Sequence, residues 1–235
     1  MNPYNSENQN DGEWDDRGEV AWSEGDWNRY LTHCKIELSN FLKLYESSSR
    51  ESGHLDEIAR QMGWDVSDWY NKEGFAEDEL TEFLPSLEDT EEDFENCEPY
   101  TLHRHPVYIV SKGLFLWLRN SFESFLKDSC QQISAQATWN YASVLQNAEH
   151  QAIMGTQALD MADYSLAICH FKRALAAINL CMSTLVEILP QKNSASDNAK
   201  YRDEINARLF DLREVYLRII GECRCFENGD FPDPF

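Results

Sequence analysis
The chain has 235 residues, 42 acidic against 20 basic side chains, and a formal net charge of −22, with 42% hydrophobic and 12% aromatic residues. That length suffices to bury a sizeable core, and the composition excludes collagen-like and wholly disordered chains. The charge balance argues against binding free polyanions, because a phosphate backbone would meet net repulsion.

The first residues, Met1-Asn2-Pro3-Tyr4-Asn5, carry neither a basic region nor an apolar core, so they do not read as a signal peptide. The most hydrophobic stretch, Val107 to Leu118, is interrupted by Ser111, Lys112 and Gly113 and closed by Arg119. It is shorter than the roughly 20 residues a bilayer-spanning helix needs. The seven cysteines are Cys34, Cys97, Cys130, Cys169, Cys181, Cys223 and Cys225. An odd number scattered through helical patterns suits reduced thiols and a cytoplasmic location, with no membrane contact expected.

Charge divides the chain. Residues 1–98 hold 27 acidic and 7 basic side chains, and residues 99–235 hold 15 and 13. Trp14, Trp22, Trp27, Trp64 and Trp69 lie in the acidic part. Residues 1–22 are polar and aperiodic and read as a mobile acidic tail. Residues 23–98 read as an acidic helical region. It ends in a linker over 85–98 that carries Glu88, Asp89, Glu91, Glu92, Asp93, Glu95 and Glu98. Residues 99–226 read as the helical bundle and 227–235 as a C-terminal tail.

In chain order, Trp27, Leu31, Cys34, Leu38, Leu42 and Tyr45 recur at helical spacing and predict a helix over 26–45, with Ser23 as its N-cap. Short helices follow over 54–62, stopped near Gly63, and over 77–84, stopped by Pro85. Pro106 opens a helix to about 129 that is apolar on several sides and is expected at the centre of the fold. In the next helix, about 134–161, Tyr141, Ala148, Gly155 and Ala162 are spaced by seven, a small-residue row that admits a close neighbour. A turn at Ala162-Asp163 leads to a helix over 164–189, ended by Pro190. Ser194 or Ser196 can cap a last helix striped by Tyr201, Ile205, Leu209, Leu212, Tyr216, Ile219 and Cys223. The fold class is therefore all-α, an antiparallel bundle of long helices with an acidic helical N-terminal region packed against it or extended from it. No run shows strand periodicity.

Gly155, Asp163, Tyr164, Ala167, Phe171 and Ala174 stand at the offsets of the tetratricopeptide repeat, and residues 151–189 resemble one such helical hairpin. The likeness covers a single unit, and no second copy follows 34 residues later. A generic tight helical hairpin needs the same spacings. Kinship would imply protein–protein interaction, not catalysis.

Leu55 to Tyr70 has the spacing of a helix-turn-helix, with Ile58, Ala59, Met62, Gly63, Trp64 and Trp69 near its core positions. Its second helix, however, would set Asp65, Asp68 and Glu73 against Lys72 alone, where a DNA reader needs cations. His103 with His105 and Cys223 with Cys225 are the close ligand pairs. Thiols two residues apart on a helix diverge, and His103 and His105 also suit a polar helix entrance, so no metal site is assigned. No phosphate-binding loop, dinucleotide turn or nucleophile elbow is present, so no catalytic or cofactor residue is assigned.

The function these features favour is a non-catalytic protein–protein interaction or adaptor role. The partner would be another protein, one carrying basic charge if it meets the acidic region, and homo-oligomers are compatible. The alternatives are an acidic decoy that inhibits a nucleic-acid-binding protein, and a helical-bundle enzyme or metal protein.

Overall fold
The computed structural model describes residues 22–49, 53–64, 101–129, 133–189 and 196–228. The expected tail 1–21, helix 77–84, linker 85–98 and residues 65–70 of the helix-turn-helix reading lie outside the described residues. So does the tail beyond 228.

The described residues form helices α1 (Glu24–Ser47), α2 (His54–Gln61), α3 (Pro106–Ser129), α4 (Ala135–Asp160), α5 (Tyr164–Ile188) and α6 (Ser196–Asn228), with a 3-10 turn at Leu102–Arg104. The described residues contain no strand. The last helix runs five residues past Cys223, the last apolar position of its stripe, since no glycine or proline intervenes until Gly229.

Local chemistry sets the ends. At α1, Ser23 and Asp26 form a reciprocal capping box. At α3, His105 caps the first turn, its Nδ1 accepting from the Val107 amide at 3.2 Å. Ser134 accepts from the Ala137 amide to start α4, and Asp163 from the Leu166 amide to start α5. Helices α2 and α4 end alike. Trp64 and Gly63 amides donate to Ala59 and Arg60 carbonyls, and Asp163 and Ala162 amides to Ala158 and Leu159 carbonyls. Both ends need a left-handed residue, supplied by Gly63 (φ +76°) in one and Ala162 (φ +56°) in the other.

Cross-helix pairs show α3 to α6 running antiparallel around one core. Phe122 meets Tyr141 (4.5 Å between rings), and His170 Nδ1 meets Gln151 Oε1 (2.9 Å). Tyr164 stacks on Phe226 (5.1 Å) and Phe125 on Tyr201 (4.7 Å), while Tyr216 donates to Ser111 Oγ (2.9 Å). A Cβ at Gly155 would lie 3.0 Å from three atoms of the Phe171 ring, so the small-residue row of α4 is a close contact with α5. Ala148 lies buried in the same row, while Ala162 is exposed in the turn.

Helices α1 and α2 pack against this bundle and share its core, with Phe41, Tyr45, Leu55, Ile58 and Ala59 joining Leu114, Phe115 and Tyr216 in one cluster. The buried face of α1 differs from the expected stripe. It is Tyr30, Cys34, Phe41 and Tyr45, which leaves Trp27 and Leu31 about 40% exposed and Leu38 and Leu42 half-buried. Rings with more apolar area than leucine took the inner positions, and Gly113 of α3 provides the recess for Phe41.

Candidate functional site
Among the described residues, three places gather side chains with chemical capacity. The first is a cleft of about 530 Å³ between α3 and α4, lined among others by Lys112, Arg119, Phe122, Leu145, Glu149 and His150. Glu149 is 5% exposed and sits between two cations. Lys112 Nζ donates to its Oε1 at 2.7 Å and Arg119 Nη1 to its Oε2. A buried carboxylate must be paired in this way, because an unpaired charge out of water is strongly disfavoured. The two cations are about one-third exposed and line the cleft together with a second carboxylate, Glu123.

The second is a buried polar cluster tying α1 and α2 to α6. Asp211 accepts from the Tyr45 hydroxyl, and its Oδ2 lies 3.2 Å from His54 Nε2. Beside it the Arg208 guanidinium lies 3.3 Å over the Trp117 ring, with its Nη1 donating to the Glu204 carbonyl at 3.0 Å. A polar recess of about 340 Å³ borders His54 and is lined by Ser47, Ser48 and Ser49. Ser47 Oγ donates to the Leu44 carbonyl and Ser48 Oγ to the Ser49 carbonyl, and Asp211 is shared with Tyr45. The Asp211 contacts join α1 and α2 to α6.

The third is aromatic. Trp22, Trp27 and Tyr30 gather at the start of α1 with ring centroids 5.1, 5.6 and 6.0 Å apart. Trp27 is 40% and the adjoining Leu31 39% exposed, so this cluster presents apolar surface beside the carboxylates of Glu24 and Asp26. The Asp26 carboxyl is held below its usual range by Ser23, whose hydroxyl and backbone both donate to it, and by Arg29. Trp64, in contrast, is half-buried and stacks on Phe41 at 6.1 Å.

The ligand pairs singled out in the sequence lie at one end of the bundle, since the α3–α6 register runs from Phe125–Tyr201 to Ser111–Tyr216 and onward. They do not assemble. His103 Nδ1 lies 3.2 Å from Thr101 Oγ1, His105 Nδ1 caps α3, Cys223 is buried and Cys225 is exposed. No group of three or more metal-ligating side chains occurs among the described residues. Burial pushes the Cys223 and Cys181 thiols up to about 12, which makes them poor nucleophiles at neutral pH. No helix among the described residues is long and apolar enough to cross a membrane.

Single-helix reasoning missed the Glu149 triad and the Asp211 cluster, because both join residues far apart in sequence. A signal existed for the first. Glu149 falls between Ala148 and Ala152 on an otherwise small and apolar face, and a charge at such a position demands a partner. No family model, curated protein or solved structure gives a significant match to the chain.

Proposed function
We propose that the protein is a non-catalytic interaction module, and that a basic partner engages it through the acidic, tryptophan-bearing start of α1. The observation that carries this reading is the Trp22–Trp27–Tyr30 cluster with Leu31, which leaves aromatic area in solvent on a well-capped helix. Aromatic rings provide contact area at low entropic cost, and the surplus of carboxylates over residues 1–98 steers a cationic partner toward them.

The test is capture of partners on the immobilised full chain, followed by association rates between 50 and 500 mM salt. Trp27→Ala should weaken binding at least tenfold, in the range of an interface hot spot. Salt should slow association, because exposed charges are screened beyond about 8 Å at physiological ionic strength. Salt-independent association, with Trp27→Ala binding at full strength, would refute this placement of the interface.

A further inference from the structure
We propose that the outward face of α6 pairs with the same face of a second copy of this chain, antiparallel across a two-fold axis near residues 213–214. The inference is independent of the α1 reading, which concerns a different helix and a different partner.

The face is set by a spacing of seven. Asp203, Phe210, Leu217 and Arg224 each stand nearly two helical turns apart and therefore share one side of α6. The opposite side supplies Ile205, Leu212, Tyr216 and Ile219 to the core, so the row points away from the bundle. Phe210 and Leu217 are each 54% exposed, and Asp203 and Arg224 at the two ends are exposed as well. Covering both apolar side chains would take from water a surface that the single chain leaves wet.

Charge identifies the occupant and its direction. Read backwards, the row is Arg, Leu, Phe, Asp. An antiparallel second copy therefore sets Asp203 level with Arg224 and Phe210 level with Leu217, twice over by symmetry. Arg213 and Glu214 are symmetric about the same point, so each falls level with the other's counterpart. A parallel copy would instead set Asp203 on Asp203 and Arg224 on Arg224, and like charges in register repel. Within one chain these groups are loosely held. Arg202 Nε lies 3.9 Å from Asp203, too far for a hydrogen bond, and the Arg213 guanidinium lies 5.6 Å from the centre of the Phe210 ring. Glu214 accepts from Arg218 on its own helix at 3.3 Å and stays exposed.

The charge of α6 also suits contact between copies. Ser196–Asn228 carries 7 acidic and 6 basic side chains, whereas the whole chain carries 42 and 20. Two copies therefore meet here with little of the repulsion that a net charge of −22 imposes elsewhere, and a cationic partner is drawn to residues 1–98 instead. Self-complementary pairing about a two-fold axis is the commonest form of association between identical chains.

The test is sedimentation equilibrium of the full chain from about 1 to about 500 µM, a range suited to a seam smaller than the standard interface. The expected result is a monomer–dimer equilibrium that Leu217→Glu abolishes at unchanged helicity. Asp203→Arg and Arg224→Asp should each weaken the dimer about tenfold, because each sets two like-charged pairs across the axis where exposed ion pairs stood. Combining the two exchanges the ends of the row and should restore the original affinity. If Leu217→Glu does not fold, the charge variants carry the test, since both positions are exposed. A chain that is monomeric throughout would overturn the proposal. So would a dimer that keeps its affinity in Leu217→Glu or in both single charge variants. A monomer that melts lower with Leu217→Glu would assign the face to another segment of the same chain and also overturn it.

Discussion
Two helix-interior glycines differ in what an added methyl group would meet. At Gly113 a Cβ would lie 2.9 Å from Cδ1 of Phe41, a ring fully buried and unable to withdraw. At Gly221 nothing lies within 4 Å. Replacing a helical glycine by alanine gains about 1 kcal/mol from backbone entropy alone. Gly221→Ala should therefore stabilise the protein by about that amount, whereas overpacking of ~1–3 kcal/mol should make Gly113→Ala a net loss. Chemical denaturation of the two variants checks the opposite signs. Glu222 offers a test in pH. Desolvation raises its carboxyl from 4.5 to about 7 against the opposing pull of Arg218, and its Oε2 is buried without a hydrogen bond. A carboxyl raised on folding stabilises the native state at low pH, and that contribution is lost as pH rises from 4.5 through about 7. Glu222→Gln should remove this dependence. The variant should match the wild type near pH 4.5 and melt higher at pH 8, and an unchanged difference between the two pH values would contradict the assignment.

Among the described residues, the helices and several of their ends were legible in the sequence, because periodicity and caps are local. Ser23, Ser134, Asp163 and Gly63 mark starts and stops by side-chain and backbone chemistry that needs no tertiary information. The orientation of a helix with apolar residues on several sides was less legible. In α1 the expected stripe and the buried face share Cys34 and Tyr45, but Tyr30 and Phe41 take inner positions in place of Leu31, Leu38 and Leu42, and Gly113 provides the recess for Phe41. The turn between α4 and α5 carries its own prediction. Ala162 occupies the left-handed position that Gly63 fills at the end of α2, and a side chain there costs roughly 1 kcal/mol or more. Ala162 is exposed and its amide donates to the Leu159 carbonyl, so glycine keeps every contact. Ala162→Gly should raise stability by about 0.5–1 kcal/mol after the entropy glycine loses on folding. A lowered denaturation midpoint would contradict the strain.

Across the whole molecule, charge and packing divide the chain differently. The near-neutral composition of residues 99–235 suggests a bundle that needs nothing from the acidic part. The structure instead gives α1 and α2 a share of the core, and three polar ties connect them to α6: Tyr45 and His54 to Asp211, and Arg218 to Asp56. Composition cannot report such ties, since the residues joined are more than 150 positions apart. A fragment of residues 101–228 would lose the Phe41 contact over Gly113 and both partners of the Asp211 carboxylate. It should unfold at lower denaturant than residues 22–228 and bind a hydrophobic dye, because breaking a buried charge network typically costs several kcal/mol. Native-state hydrogen exchange on the full chain shows whether α1 and α2 belong to one cooperative core with the bundle. The amides around Phe41, Phe115, Phe171 and Leu212 should exchange with one common opening free energy equal to that of global unfolding. Amides around Phe41 that open at a distinctly lower free energy than those of the other three would contradict it, and would leave α1 and α2 as a separately stable attachment.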